Sequence, residues 1–214
     1  MSAEIVDARD GAGLLRAGEA LRAGAVVAAQ TDTNYGVFCN PFLEDVCGRL
    51  YEMKRRDGGK PLTLFVSSPA DWARWGRRPA GVDVDALVER FWPGPLNLVM
   101  EKREIVPDWV TSGRPTVSVV HNVSPVLNLL SLYSGLPLAA TSANISGTMD
   151  EGLVTFDIAR EHIGDHCDLI VRGEAPSKAT RSSTIVSLLG TPAVLRQGDL
   201  PAEELAPYLP GLTP

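Results

Sequence analysis

The segment Lys54-Arg55-Arg56-Asp57-Gly58-Gly59-Lys60-Pro61-Leu62 gathers four cations around a glycine pair, in a chain whose formal net charge is -6. Ammonium and guanidinium groups so placed can grip a triphosphate through charge-assisted hydrogen bonds. They equally suit the end of a preceding helix, where the backbone dipole is negative. This is no Walker loop, because the glycines follow the basic residues and no Gly-Lys-Ser/Thr occurs. Thr31-Asp32-Thr33-Asn34-Tyr35-Gly36 follows a buried apolar run, the position where open α/β sheets place ligands. Its hydroxyls, carboxylate and phenol can orient a polar substrate, and the same residues can close an Asx or Thr turn.

Two further segments carry polar groups at the ends of apolar runs. Leu138-Ala139-Ala140-Thr141-Ser142-Ala143-Asn144-Ile145-Ser146-Gly147 ends in small residues, which admit a planar nucleotide close to the main chain or make a plain turn. Ser182-Ser183-Thr184-Ile185-Val186 precedes Val194-Leu195-Arg196-Gln197-Gly198. There Arg196 interrupts an apolar run and needs a partner if buried, either a phosphate or a neighbouring carboxylate. Phe91-Trp92-Pro93-Gly94-Pro95-Leu96 offers no acid, base or nucleophile and reads as a rigid structural corner.

The elements that must hold these segments are short. Leu14, Ala17 and Leu21 recur at helical spacing before a stop at Gly24, and 25–29 reads as a buried strand. Phe42, Val46, Leu50 and Met53 predict a second helix ending near Lys54. Strands are expected at 62–66, 96–100, 116–120, 136–141, 169–171, 184–188 and 193–195, with helices near 84–91, 126–132 and 156–163. The mixed order predicts an α/β fold in one domain over 1–214, not a regular Rossmann alternation. The turn Gly190-Thr191-Pro192 makes at least part of the sheet antiparallel.

Composition narrows the classes. Hydrophobic content of 44 % and charged content of 21 % are those of a soluble globular chain. No apolar run approaches the roughly 20 residues of a membrane span, and the acidic N-terminus has no signal core, so a cytoplasmic protein is expected. Cys39, Cys47 and Cys167 fit neither a disulfide framework nor paired zinc ligands, so reduced thiols and no protein-bound metal are expected. The net negative charge opposes a broad nucleic-acid footprint and leaves only local basic clusters. With no nucleophile elbow, zinc motif or dinucleotide fingerprint, catalysis by positioning and charge neutralisation is favoured.

In this order, over roughly residues 10 to 200, the segments resemble the YrdC-like family. Thr31–Gly36 is similar to its Thr-Asp/Glu-Thr-x-Tyr-Gly segment, Lys54-x-Arg56 with Lys60-Pro61-Leu62 to its Lys-x-Arg loop, and Ser142-x-Asn144 to its Ser-x-Asn signature. Phe91–Leu96, Ser183-Thr184 and Leu195-Arg196 match its remaining segments. The resemblance implies a twisted open mixed sheet with flanking helices and a concave basic cleft. It implies synthesis of threonylcarbamoyl-adenylate and pyrophosphate from L-threonine, bicarbonate and ATP, with Mg2+ accompanying ATP, toward the N6-threonylcarbamoyl modification of tRNA adenosine 37. Lys54, Arg56, Ser142 and Asn144 then form the catalytic group and, with Lys60 and Arg196, hold the nucleotide. Thr31, Thr33, Tyr35, Ser183 and Thr184 fall on the substrate side. Partner enzymes of tRNA modification, tRNA contact and double-stranded RNA binding belong to the same implication.

The chain departs from that pattern at several positions. Where the family carries Arg-hydrophobic-Pro this sequence reads Val120-His121-Asn122, so a substrate-pairing arginine is replaced by valine unless His121 or Arg181 compensates. Gln30, Phe38, Asp57, Asn97 and Arg172 are further departures. Two alternatives therefore stand beside the synthase: a divergent relative adenylating another carbamoylated amine or carbamoyl phosphate, and a non-catalytic RNA-binding protein.

Overall fold

A computed structural model describes residues 2–54, 60–148, 152–173 and 177–213. The chain begins with β1 (Glu4–Asp7), α1 (Gly11–Ala23), β2 (Val27–Gln30), β3 (Tyr35–Cys39) and α2 (Glu44–Met53). It continues through β4 (Thr63–Phe65), α3 (Trp72–Trp75), α4 (Val84–Phe91), β5 (Leu96–Glu101), α5 (Asp108–Thr111) and β6 (Thr116–Val120). Last come α6 (Pro125–Ser134), β7 (Leu138–Ser142), α7 (Phe156–Ile163), β8 (Leu169–Arg172), β9 (Thr184–Ser187), β10 (Ala193–Arg196) and α8 (Ala202–Leu205).

Among the described residues the strands form one ten-stranded sheet in the order β1-β8-β2-β3-β7-β4-β6-β5-β9-β10. Its pairings are mixed: β2 with β3, β3 with β7 and β5 with β6 are antiparallel, whereas β4 with β6 and β5 with β9 are parallel. The mixed α/β architecture is the expected one. The expected antiparallel return is β9 to β10, with Gly190 at φ 67° in the connecting turn, a region open to glycine without steric cost.

Successive strand residues alternate between the two faces, so the core divides in two. On one face Ala28, Val37, Leu64, Leu98, Val119 and Val186 pack under residues of α2, α4 and α7. On the other, Val27, Ala29, Phe38, Ala140 and Leu169 lie under α1 and α6. These two helices approach closely because Gly18 has no side chain: a Cβ there would stand 2.4 Å from Cβ of Tyr133. Gly18 is therefore a contact residue rather than a weakness in the helix. Helices α1 and α6 cover the half of this face running from β1 to β7. The half formed by β4, β6, β5, β9 and β10 is largely bare of them, and there Thr63, Asn97, Thr116 and Ser118 stand at alternate strand positions beside Phe65, Val99 and Ile185.

Some sequence expectations need correction. No strand is expected over 35–39, yet β3 (Tyr35–Cys39) is buried throughout. Strand β1 and the short α3, α5 and α8 carry too few residues to show a period. Phe42 is 39 % exposed and lies outside α2. The 91–96 corner is structural as expected, the Trp92 indole N–H donating to the Leu96 carbonyl at 2.8 Å. Among the described residues no helix is long and apolar enough to cross a membrane.

Candidate functional site

The bare half of the sheet forms the floor of a cavity of about 820 Å³. Floor residues come from alternate strand positions: Thr63 and Phe65 on β4, Thr116 and Ser118 on β6, Asn97 and Val99 on β5, and Ile185 on β9. One wall is the β2–β3 turn at Thr31, Thr33 and Asn34, and another is the end of β7 at Ser142 and Asn144. Lys60, Arg114 and Arg196 are the lining cations, and no carboxylate side chain lines the cavity among the described residues. Such a surface favours an anion whose remaining groups form hydrogen bonds.

The β2–β3 turn is built by Thr31. Its hydroxyl accepts from the amides of Thr33 and Asn34, each at 3.0 Å, and donates to the Asn34 carbonyl at 2.8 Å. The threonine therefore closes a turn, and that turn faces the cavity. Thr33 Oγ1 lies 3.4 Å from Ser183 Oγ, uniting two substrate-side candidates separated by 150 positions. Asn34 fastens the turn further, its amide donating to Ser182 Oγ at 2.9 Å while its Oδ1 accepts from the Val154 amide at 2.8 Å.

Asp32 points away from the cavity toward Asn122, whose side-chain amide donates to Oδ1 at 2.6 Å. Asp32 Oδ2 is buried without a hydrogen-bond partner among the described residues. Burial pushes the carboxyl upward from its ordinary value, partly opposed by the Asn122 hydrogen bond.

Lys54 caps the C-terminus of α2 and is buried, at 1 % exposure, rather than standing on an exposed loop. Its ammonium donates to the Ser142 carbonyl at 2.6 Å, Ser142 Oγ at 3.1 Å, Asn144 Oδ1 at 2.9 Å and the Asn144 carbonyl. The expected Lys-Ser-Asn grouping is thus brought together, with the lysine beneath the loop it holds. Arg56 lies outside the described residues. Lys60 is exposed and lines the cavity.

Several candidates sit differently from expectation. The Tyr35 hydroxyl accepts the Gly173 amide at 2.9 Å in a buried setting that pushes its pKa up, so the phenol is committed to the scaffold. The Thr184 hydroxyl is fully buried, donates to the Leu200 carbonyl at 2.7 Å and accepts from the Gly198 amide at 3.0 Å, away from the cavity. Arg196 ends the edge strand β10 and is exposed, so it needs no buried counter-charge. Two of its N–H groups donate to the Ser183 carbonyl at 3.0 and 2.7 Å. Neither proposed stand-in for the missing arginine lines the cavity: His121 is buried with Nδ1 donating to the Val66 carbonyl at 2.8 Å, and Arg181 is not among the lining residues. The reading of the sequence missed Asn97, Arg114, Thr63, Thr116 and Ser118. Asn97 on β5 and Thr116 and Ser118 at alternate positions of β6 were the available signal.

The Sua5_yciO_yrdC family, described as telomere recombination, matches residues 19–198. A threonylcarbamoyl-AMP synthase of Pyrococcus abyssi is 35 % identical over 189 residues, covering 86 % of this chain and 54 % of that protein. One of Bacillus subtilis is 30 % identical over 197 residues, covering 90 % and 55 %. The chain thus spans about half the length of these curated relatives. The crystal structure of P. abyssi Sua5 complexed with L-threonine superposes with a TM-score of 0.90 at 29 % identity, covering all of this chain and 62 % of that one. With the family match spanning most of its length, the chain belongs to the Sua5/YciO/YrdC family.

Proposed function

We propose that this protein synthesises L-threonylcarbamoyladenylate from L-threonine, bicarbonate and ATP, releasing pyrophosphate and water. The observation that carries the reading is the cavity itself: Lys60, Arg114 and Arg196 line it without a carboxylate side chain among the described residues, and Thr33 and Ser183 meet at its wall. The names of the relatives and the threonine complex of P. abyssi Sua5 support the same chemistry.

The threonine amine and bicarbonate first condense to a carbamate with loss of water. A carbamate oxygen then attacks the α-phosphorus of ATP, and the bond to the β-phosphate oxygen breaks as pyrophosphate leaves. Negative charge grows on the transferring phosphoryl and leaving groups, so the cations contribute electrostatics rather than proton transfer. Mg2+ enters with ATP as part of the substrate. Lys60 and Arg196 face the phosphates, with Arg56 assigned to them by the family's Lys-x-Arg pattern alone, the Ser142–Asn144 loop receives the nucleoside, and Lys54 acts by holding that loop. Thr33 and Ser183 face the amino acid. The product serves enzymes that modify tRNA.

Val120, at the position of the family's arginine, favours a second reading in which a different carbamoylated amine is adenylated. Pyrophosphate release with ATP, Mg2+ and bicarbonate across an amino-acid panel, with mass identification of the adenylate, tests both. Threonine-dependent release with the matching product mass supports the synthase, and release only with another amine supports the second reading. No release with any amine rejects both.

A further inference from the structure

Asn97 stands on the cavity floor as the second residue of β5, and it is 7 % exposed. Its carboxamide has no hydrogen-bond partner among the described residues. The polar atoms of the Asn97 amide are not sealed from solvent, so the amide opens on the cavity, where it can exchange solvent for hydrogen bonds to a ligand. Ladder partners share a face of the sheet. Asn97 pairs with Ile185, which pairs in turn with Arg196 on β10, and Val99 pairs with Ser118, so the nearest neighbours of Asn97 on the floor are uncharged and the nearest cation by register stands two strands away. Lys60 and Arg114 lie in the segments leading into β4 and β6, and Arg196 ends β10 with its guanidinium on the Ser183 carbonyl.

The same face leads from Asn97 to the wall of the amino-acid side. Ile185 is two residues from Ser183, so both side chains point to the cavity, and Ser183 meets Thr33. Polyphosphate is drawn to the cations, and the neutral floor at Asn97 offers the acceptor hydrogen bonds rather than charge.

We infer that Asn97 is a specificity-determining residue that hydrogen-bonds an uncharged polar group, a hydroxyl or amide, on the acceptor amine. This rests on the synthase reading and adds a chemical criterion to it. In threonine the group is the side-chain hydroxyl. A carboxamide can donate to that oxygen or accept its proton, and an acceptor lacking the hydroxyl leaves the amide unpaired.

The test compares L-threonine with L-2-aminobutyrate, which lacks the hydroxyl, in pyrophosphate release by the wild type and Asn97→Leu. The wild type should favour threonine by about 10-fold or more in kcat/KM, and Asn97→Leu should bring the ratio to within about threefold through the threonine KM. The ligand-free Tm of Asn97→Leu should stay close to that of the wild type, because the Asn97 amide has no hydrogen bond to the described residues to lose. Asn97→Thr, which restores a hydrogen-bonding group, should recover part of the preference. A wild-type preference retained in Asn97→Leu overturns the inference and leaves the synthase reading intact. A clear fall in Tm without a change in preference makes Asn97 a structural residue and also overturns it. Absence of pyrophosphate release by the wild type with every amine overturns the synthase reading and this inference with it.

Discussion

Lys54 holds Asn144 from two sides, its buried ammonium donating both to the main-chain oxygen and, at 2.9 Å, to the side-chain Oδ1. The return contact is main-chain, from the Ser146 amide to the Lys54 carbonyl at 3.2 Å. The end of α2 and the loop after β7 are therefore one assembly, although 90 positions separate the lysine from the asparagine.

Lys54→Met should differ in kind from Lys60→Met. Removing the buried ammonium deprives several acceptors of a charged donor, a loss of about 1.5–3 kcal/mol for a charged hydrogen bond. In a chain of this size the Tm should fall by about 3–10 °C, with activity lost as the loop relaxes. Exposed Lys60 should leave Tm within about 1 °C and raise the KM for ATP by about 10-fold. Thermal melts and pyrophosphate kinetics separate the two, and equal Tm values would overturn the structural role given to Lys54.

Arg196 spends two of its N–H groups on the Ser183 carbonyl, which leaves the rest of a pre-oriented guanidinium for phosphate. Lysine cannot reproduce this fork. Arg196→Lys should weaken ATP binding by about 10-fold with little change in Tm, and added salt should weaken wild-type binding in the same direction. Calorimetric titration with ATP checks both, and unchanged affinity in Arg196→Lys would remove the residue from the phosphate site.

Asp32 gives a pH dependence of defined sign. Burial raises its folded-state pKa above the ordinary 3.8, so the folded protein favours the protonated carboxyl. This contribution to stability is complete below 3.8 and is lost as pH rises through the folded value. Asp32→Asn keeps an oxygen for the Asn122 amide and removes the charge. Its stability relative to wild type should therefore grow from about pH 4 to about pH 7. Melting curves over that range test it, and a wild-type advantage growing with pH would contradict the assignment.

Val120 is 1 % exposed, shares a face with Thr116 and Ser118, and pairs with Phe65. Arginine there must reach into the cavity to find water or a carboxylate. Val120→Arg should lower the threonine KM by about 10-fold or more while lowering Tm. A threonine KM that stays unchanged would show that the position does not face the acceptor's carboxylate.

The thiols should be inert in the native state. Cys39 is raised well above its ordinary value, chiefly by its hydrogen bond with Cys47 and then by burial, and burial pushes Cys167 up to about 12. At about pH 8 a thiol reagent should label all three cysteines in denaturant and label the native protein about 100-fold more slowly. Rapid native labelling followed by mass spectrometry would contradict this.

The fold was legible wherever a period or a turn was local. Helices over 84–91 and 156–163 and the strand over 116–120 emerge with their expected bounds, and Gly24 ends α1 in the left-handed conformation as its position suggests. Strand β3 was not legible, because burial on both sides erases alternation and the preceding polar turn masks its start. At the site, residue types revealed the wall segments but not their roles. Nothing near Lys54 indicates that its acceptors arrive with Ser142 and Asn144, or that the Thr184 hydroxyl is taken by Leu200 and Gly198. Those partners are set by the register of distant strands. Thr116, Ser118 and Asn97 were visible as polar residues in apolar strands, and only the placement of α1 and α6 shows why that face can be polar.

Because α1 and α6 cover only half of one face, β5 and β6 answer to two selective demands at alternating positions. Leu96, Leu98 and Met100 on β5, and Val117 and Val119 on β6, belong to the core, whereas Asn97, Val99, Thr116 and Ser118 line the cavity. Substitutions at the second set can change what is bound while the first set keeps the chain folded. The two strands thus give descendants of this scaffold a route to new acceptors that passes through few unfolded intermediates, since residues that drift in chemistry are interleaved with, and separate from, those that resist it.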